Sequence, residues 1–199
     1  MPAPLILASA SQVRRRLLEN AGLDFRAVAA DVDEDALKTQ CRGENRDVKE
    51  IALILAETKA RAVGGQEPDA LVIGADQMLE LDGRCFDKPE SRDQATEHLR
   101  AFSAKTHHLV TATVAMQGGE MLWQRVDVTA MRVRPLSEAF IQTYLDAIGD
   151  DALASVGAYQ LEGRGARLFE AVDGDFFTIL GLPLLALLDF LRQHAMIDD

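Results

Sequence analysis

The chain has 199 residues, 48% of them hydrophobic and 27% charged, which is the composition of a folded globular protein and excludes a disordered one. Thirty-two acidic against twenty-one basic residues leave a net charge of −11, so nucleic acid and membrane are not expected partners, because both need broad basic faces. Cys41 and Cys85 stand alone, with no CxxC pair and no histidine at ligand spacing, so neither a disulfide framework nor a zinc site is expected.

In chain order, Leu5–Ala8 (LILA) reads as a buried strand, followed by a helix over 12–21 capped by Ser11 and closed by Gly22. Phe25–Ala29 is expected as a second strand, and residues 47–63 as a longer helix ending at Gly64-Gly65. ALVIG at 70–74 is a third buried strand, and Asp82-Gly83 suggests a turn after Met78–Leu81. Ser91-Arg92-Asp93-Gln94 fits a capping box for a helix over 92–102. Two long strand patterns, 107–117 and 120–134, flank Gly118-Gly119 and predict a hairpin. Ser137 caps a further helix, with Leu136 and Ile141 placed for a hydrophobic staple. A glycine-rich turn region covers 157–165, and a last helix starts near Pro183. The pattern predicts an α/β fold, with a mixed, elongated sheet and flanking helices. A single domain over 1–199 is expected, with room for two lobes around a central cleft. The start, MPAPLILAS, lacks a basic leader, and the apolar stretch 176–191 is interrupted by Gly181, Pro183 and Asp189, so a cytoplasmic address is expected.

The stretch SASQVRRR at 9–16 sets three arginines at the start of a helix, where the helix dipole disfavours cations. In an acidic chain, such a cluster is where an anion would be met. Lys59 falls in the middle of the apolar arc of helix 47–63, among Ile51, Leu55, Ala56 and Ala62. Either its stem snorkels past small neighbours to water, or its ammonium reaches a phosphate or carboxylate in a pocket. Asp76 follows the strand ALVIG, where α/β proteins place ligands, although many such residues only start a turn. Asp31-Val32-Asp33-Glu34 reads as a solvated acidic loop or as a source of oxygen ligands for Mg²⁺. Lys88-Pro89 can supply another cation. There is no GxxxxGK loop and no GxGxxG fingerprint, and Ser9 and Ser11, lacking a His-Asp system, suit hydrogen bonding to phosphate better than nucleophilic attack. His107 and His108 are adjacent, so on a strand they point to opposite faces and cannot form a ligand pair. His98 and His194 are expected on helix surfaces.

The blocks LILASASQVRRRLLENAG, DVDE, LAETKARAV, VIGADQ, DKP, GAYQLEGRG and GLPLLAL span nearly the whole chain in this order and resemble the Maf nucleotide pyrophosphatases. The resemblance implies a fold related to that of the inosine triphosphate pyrophosphatases. It also implies Mg²⁺- or Mn²⁺-dependent hydrolysis of nucleoside triphosphates to monophosphate and pyrophosphate. Carried over by position, Asp76 matches the family's catalytic carboxylate. Ser9, Arg14, Arg15, Lys59 and Lys88 match its phosphate-contacting residues, and Glu34, with Asp76, matches its metal-holding acids. Arg16 has no counterpart and is expected to be a surface charge. Members acting on dTTP and UTP typically carry Arg, Thr and Gln at the positions of Val13, Gln77 and Glu162, whereas members acting on 7-methyl-GTP carry Trp, Gln and Glu. Gln77 and Glu162 match the second set, and Val13 matches neither. The resemblance therefore points toward 7-methyl-GTP, with dTTP/UTP or broad-specificity hydrolysis as the competitor. A homodimer is also expected. A reading of another class is a nucleotide-binding regulator of cell division that does not need catalysis.

Overall fold

Strand β1 (Leu5–Ala8) consists of four buried residues, as expected of an apolar run lying between parallel neighbours. The computed structural model, which describes residues 3–198, pairs β1 in parallel with β2 (Arg26–Ala27) on one side and β3 (Leu71–Leu81) on the other. β4 (Arg84–Phe86) returns antiparallel on β3 through the Asp82-Gly83 turn. The hairpin predicted at Gly118-Gly119 joins β5 (Thr106–Gln117) to β6 (Glu120–Val133), and β7 (Phe169–Asp173) runs antiparallel to β6. The seven strands form one mixed sheet in the order β2-β1-β3-β5-β6-β7, with β4 on β3, so the α/β class and the mixed sheet with flanking helices hold. No helix among the described residues is long and apolar enough to cross a membrane.

The helices start where the sequence supplies caps. Ser11 caps α1 (Gln12–Asn20), Asp33 caps α2 (Glu34–Gly43), and Asp47 forms a reciprocal capping box with Glu50 at the start of α3 (Val48–Gly64). Ser91 caps α4 (Arg92–Phe102), but Gln94 Oε1 accepts from the Glu90 N–H instead of closing the expected box. Ser137 caps α5 (Glu138–Ile148), and Asp175 caps the short α6 (Phe176–Ile179). The last helix, α7 (Leu184–Gln193), begins just after Pro183 as expected.

Several expectations change. β2 is two exposed residues rather than five, because it is an edge strand that pairs only with Ile6 and Leu7 of β1. The acidic run at 31–34 is not a loop throughout: Asp33 is the cap of α2, and Glu34 is its first residue. β3 does not stop at Gly74 but continues to Leu81, so Asp76 lies within the strand and not after it. The short strands β4 and β7 have no counterpart in the sequence reading.

The residues divide into two compact units, the first holding the chain up to Gln77, Thr111–Asp127 and everything from Asp175, the second holding Met78–Val110 and Val128–Gly174. In the first unit, Leu5, Leu7, Leu71, Ile73 and Ala75 pack with α1 and α7 through Leu17, Leu18, Leu187 and Leu191. The alternate residues face α3. At Gly74 a Cβ would lie 2.1 Å from the Ala56 carbonyl oxygen and 2.9 Å from the Ala60 Cβ, so only glycine lets α3 lie this close to β3. In the second unit, the core is a chain of rings: Phe86, His98, Phe102, His107, Tyr159 and Phe169, with neighbouring centroids 4.8–6.0 Å apart. His98 is therefore not a surface residue. It is 5% exposed, because the position falls on the inward face of α4 with Ala95, Leu99 and Phe102. His194 is exposed as expected.

Candidate active site

On a 3.6-residue repeat, Arg14 shares the face of Leu17 and Leu18, and all three are buried, whereas Arg15 and Arg16 are exposed. The triple arginine is thereby divided. Arg14 Nε donates to the Gly181 carbonyl at 2.9 Å, and its Nη1 donates to the Ala75 carbonyl at 2.9 Å and to Ser9 Oγ at 3.3 Å. β1 ends at Ala8 opposite Gly74, so the Ala75 carbonyl lies in the notch past the end of β1, and Arg14 satisfies it there. Gly181 has φ +104°, and a Cβ on it would lie 2.9 Å from Arg14 Nε, so a glycine is needed for the chain to turn against the guanidinium. Burial lowers the Arg14 pKa from its ordinary value, while the charges of Asp76 and Glu34 push it back up. Arg15 instead forms an exposed pair with Glu19 at 2.7 Å.

Lys59 lies on the face that α3 turns toward β3. Its Nζ is 2.7 Å from Asp76 Oδ1 and 2.8 Å from Glu34 Oε1. Lys59 is 9% exposed and Asp76 6%, which decides against snorkelling: the ammonium is held inside the protein by Asp76, with the partly exposed Glu34 as its second partner. Pairing of this kind is what makes the burial of both charges tolerable. Gly74 positions α3, and Asp76, two residues along β3, meets Lys59 on that same face. Glu34 comes from the first turn of α2, where the dipole favours an acid.

Gln77 is half-buried. Its Nε2 donates to Thr111 Oγ1 at 2.9 Å, to the Thr178 carbonyl at 3.2 Å and to the Ile179 carbonyl at 3.1 Å. Val13 is half-buried on α1.

Residues 4–194 match the family described as Maf-like protein. The chain belongs to this family. It is 50% identical over 194 residues to the 7-methyl-GTP pyrophosphatase of Rhizobium meliloti, covering 98% of each chain. It is 52% identical over 197 residues to the nucleoside triphosphate pyrophosphatase of Nitrobacter hamburgensis, covering 99% of this chain and 96% of that one. It is also 47% identical over 198 residues to the 7-methyl-GTP pyrophosphatase of Rhizobium etli, covering both chains fully.

Of the residues singled out in this Maf chain, Ser9 bonds Arg14, and Lys59 joins Glu34 to Asp76; the two groups feel each other's charge near the carboxyl end of β1. Arg15 is turned to Glu19 and joins none of them. Lys88, in the segment after β4, and Glu162, in the turn region, are exposed residues of the second unit. Thr111 and the carbonyls of Thr178, Ile179 and Gly181 were not legible as site groups, because threonines in strands and main-chain oxygens leave no local signal in a sequence. Asp76 and Glu34 are the acids of this group that could hold a divalent metal. Lys59 engages one oxygen of each, and a Mg²⁺ ion that keeps its waters and takes phosphate oxygens needs only one or two carboxylates, so the two acids fit such an ion.

Proposed function

We propose that this Maf chain hydrolyses the α–β phosphoanhydride of nucleoside triphosphates, releasing nucleoside monophosphate and pyrophosphate. The observation that carries this reading is the buried Asp76 carboxylate, set within 2.7 Å of a lysine and in the field of Arg14. Asp76 takes the proton of the attacking water as the new oxygen–phosphorus bond forms and the bond to the β-phosphate oxygen breaks. Lys59, Arg14 and Ser9, with Arg15 and Lys88, hold the phosphate oxygens and the charge of the leaving pyrophosphate. Arg14 Nη2 is the guanidinium nitrogen left for a ligand after Nε and Nη1 have bonded the backbone. Asp76 and Glu34 would hold a Mg²⁺ or Mn²⁺ ion, which would further neutralise the phosphate charge. Val13, Gln77 and Glu162 contact the base. We place 7-methyl-GTP among the substrates, on the match at Gln77 and Glu162 and on the names of two of the relatives above. Val13 and the general name of the Nitrobacter relative favour a wider range, including dTTP and UTP. The enzyme is taken to work as a cytoplasmic homodimer without nucleic-acid or membrane partners.

Pyrophosphate release from dTTP, UTP, GTP and 7-methyl-GTP, with Mg²⁺ and with Mn²⁺, tests the reading. Asp76→Asn is expected to slow turnover by about 10²–10⁴-fold with the fold retained. Wild-type turnover no faster than that of Asp76→Asn for every nucleotide would overturn it and favour a regulator that only binds nucleotide.

A further inference from the structure

The Gln77 amide can be oriented without ambiguity. Two of its three neighbours, the carbonyls of Thr178 and Ile179, can only accept, so the amide edge facing them is the NH₂ and not the oxygen. The third is Thr111 Oγ1. That hydroxyl gives its own proton to the Thr178 carbonyl at 3.2 Å and therefore presents a lone pair to Gln77. The turn that supplies these carbonyls is itself fixed: Asp175 Oδ2 accepts from the Thr178 N–H at 2.7 Å and from the Thr178 hydroxyl at 2.9 Å. Two residues later the same turn gives the Gly181 carbonyl to Arg14. One short segment thus holds both Gln77 and Arg14, and no described residue bonds Gln77 Oε1.

We infer that Thr111, with the Thr178 and Ile179 carbonyls, is a positioning group that locks Gln77 as a hydrogen-bond acceptor, so that the site selects nucleobases carrying a ring N–H. This rests on the reading above that Gln77 meets the base. A fixed acceptor pairs with the N1–H of guanine or hypoxanthine and with the N3–H of uracil or thymine. Against adenine or cytosine it meets a ring nitrogen that is itself an acceptor, and a buried polar group left unpaired is the strongest source of discrimination between close analogues. Glutamine alone would not discriminate, because a freely rotating amide offers either end.

The test is kcat/KM for two matched pairs, ITP against ATP and UTP against CTP, in the wild type, Thr111→Val and Thr111→Ser. The wild type is expected to prefer ITP and UTP by about tenfold or more. Thr111→Val is expected to shrink both ratios by about threefold or more, and Thr111→Ser, which keeps the hydroxyl, to restore them. Equal use of both members of each pair by the wild type would overturn the inference while leaving the hydrolase reading intact. So would a Thr111→Val variant that slows all four nucleotides by one common factor. Failure to hydrolyse any of the four, or dTTP, GTP or 7-methyl-GTP, overturns the hydrolase reading, and this inference with it.

Discussion

The two units each bury a polar cluster, and they do so by opposite means. In the first, Lys59 between Asp76 and Glu34, with Arg14 close by, keeps its charges by pairing them. In the second, His107 Nε2 lies 2.7 Å from the Tyr159 hydroxyl inside a shell of rings, and the groups stay neutral. Burial pushes the His107 pKa down to about 3 and drives Tyr159 well above its ordinary value. These displacements arise from burial, in a cluster to which the proposed reaction assigns no part. A shifted titration marks burial, whereas opposed charges held together in a notch at a strand end mark a place where an anionic substrate can exchange partners with the protein.

The severest way to break the contrast is to remove the cation. Lys59→Met leaves Asp76 buried without its counter-ion and is expected to cost about 3 kcal/mol of stability or more. Lys59→Met combined with Asp76→Asn removes both charges and is expected to recover most of that loss. Urea denaturation of the two variants measures the difference. Equal destabilisation in both would mean that packing of the lysine stem, and not charge, holds the cluster.

A pH titration of stability sharpens the second cluster. His107 has a folded pKa of about 3, below its unfolded value of about 6.5, so between these the unfolded chain binds a proton that the folded chain does not. Its contribution is complete above pH 6.5 and is lost as pH falls, at about 1.4 kcal/mol per unit, or about 2 kcal/mol at pH 5. In His107→Gln, the loss of stability between pH 7 and pH 5 is expected to be smaller by that amount. An unchanged slope would mean that His107 is protonated in the folded protein.

What could be seen in the sequence were the features with local causes. The Ser11 and Ser137 caps, the Gly118-Gly119 hairpin and the start of α7 rest on residues a few positions apart. The two carbonyl partners of Arg14 are 61 and 167 residues away, and no periodicity connects Ala75 and Gly181 to position 14. β4 and β7 are short pieces whose strand character comes from β3 and β6, and α2 buries only Cys41, too little apolar face to register as a helix. Lys59 and Asp76 could be picked out singly, from an inward-facing charge and a strand-end carboxylate. That they would meet each other depended on Gly74 admitting α3 against β3.

The smallest effect separates two adjacent arginines. Arg15→Ala removes an exposed i,i+4 pair with Glu19, worth about 0.3–0.5 kcal/mol, and at the same time removes a cation from the positive end of the α1 dipole, a gain of similar size. The two terms nearly cancel, so thermal denaturation of Arg15→Ala without ligand is expected within about 2 °C of the wild type. Arg14→Ala leaves the Ala75 and Gly181 carbonyls without their donor and is expected to fall several times further. With nucleotide present the two should converge in one respect: if Arg15 leaves Glu19 to meet phosphate, Arg15→Ala raises KM while its ligand-free stability is untouched. A KM equal to that of the wild type would restrict phosphate binding on α1 to Arg14, the arginine that the fold already holds in the notch.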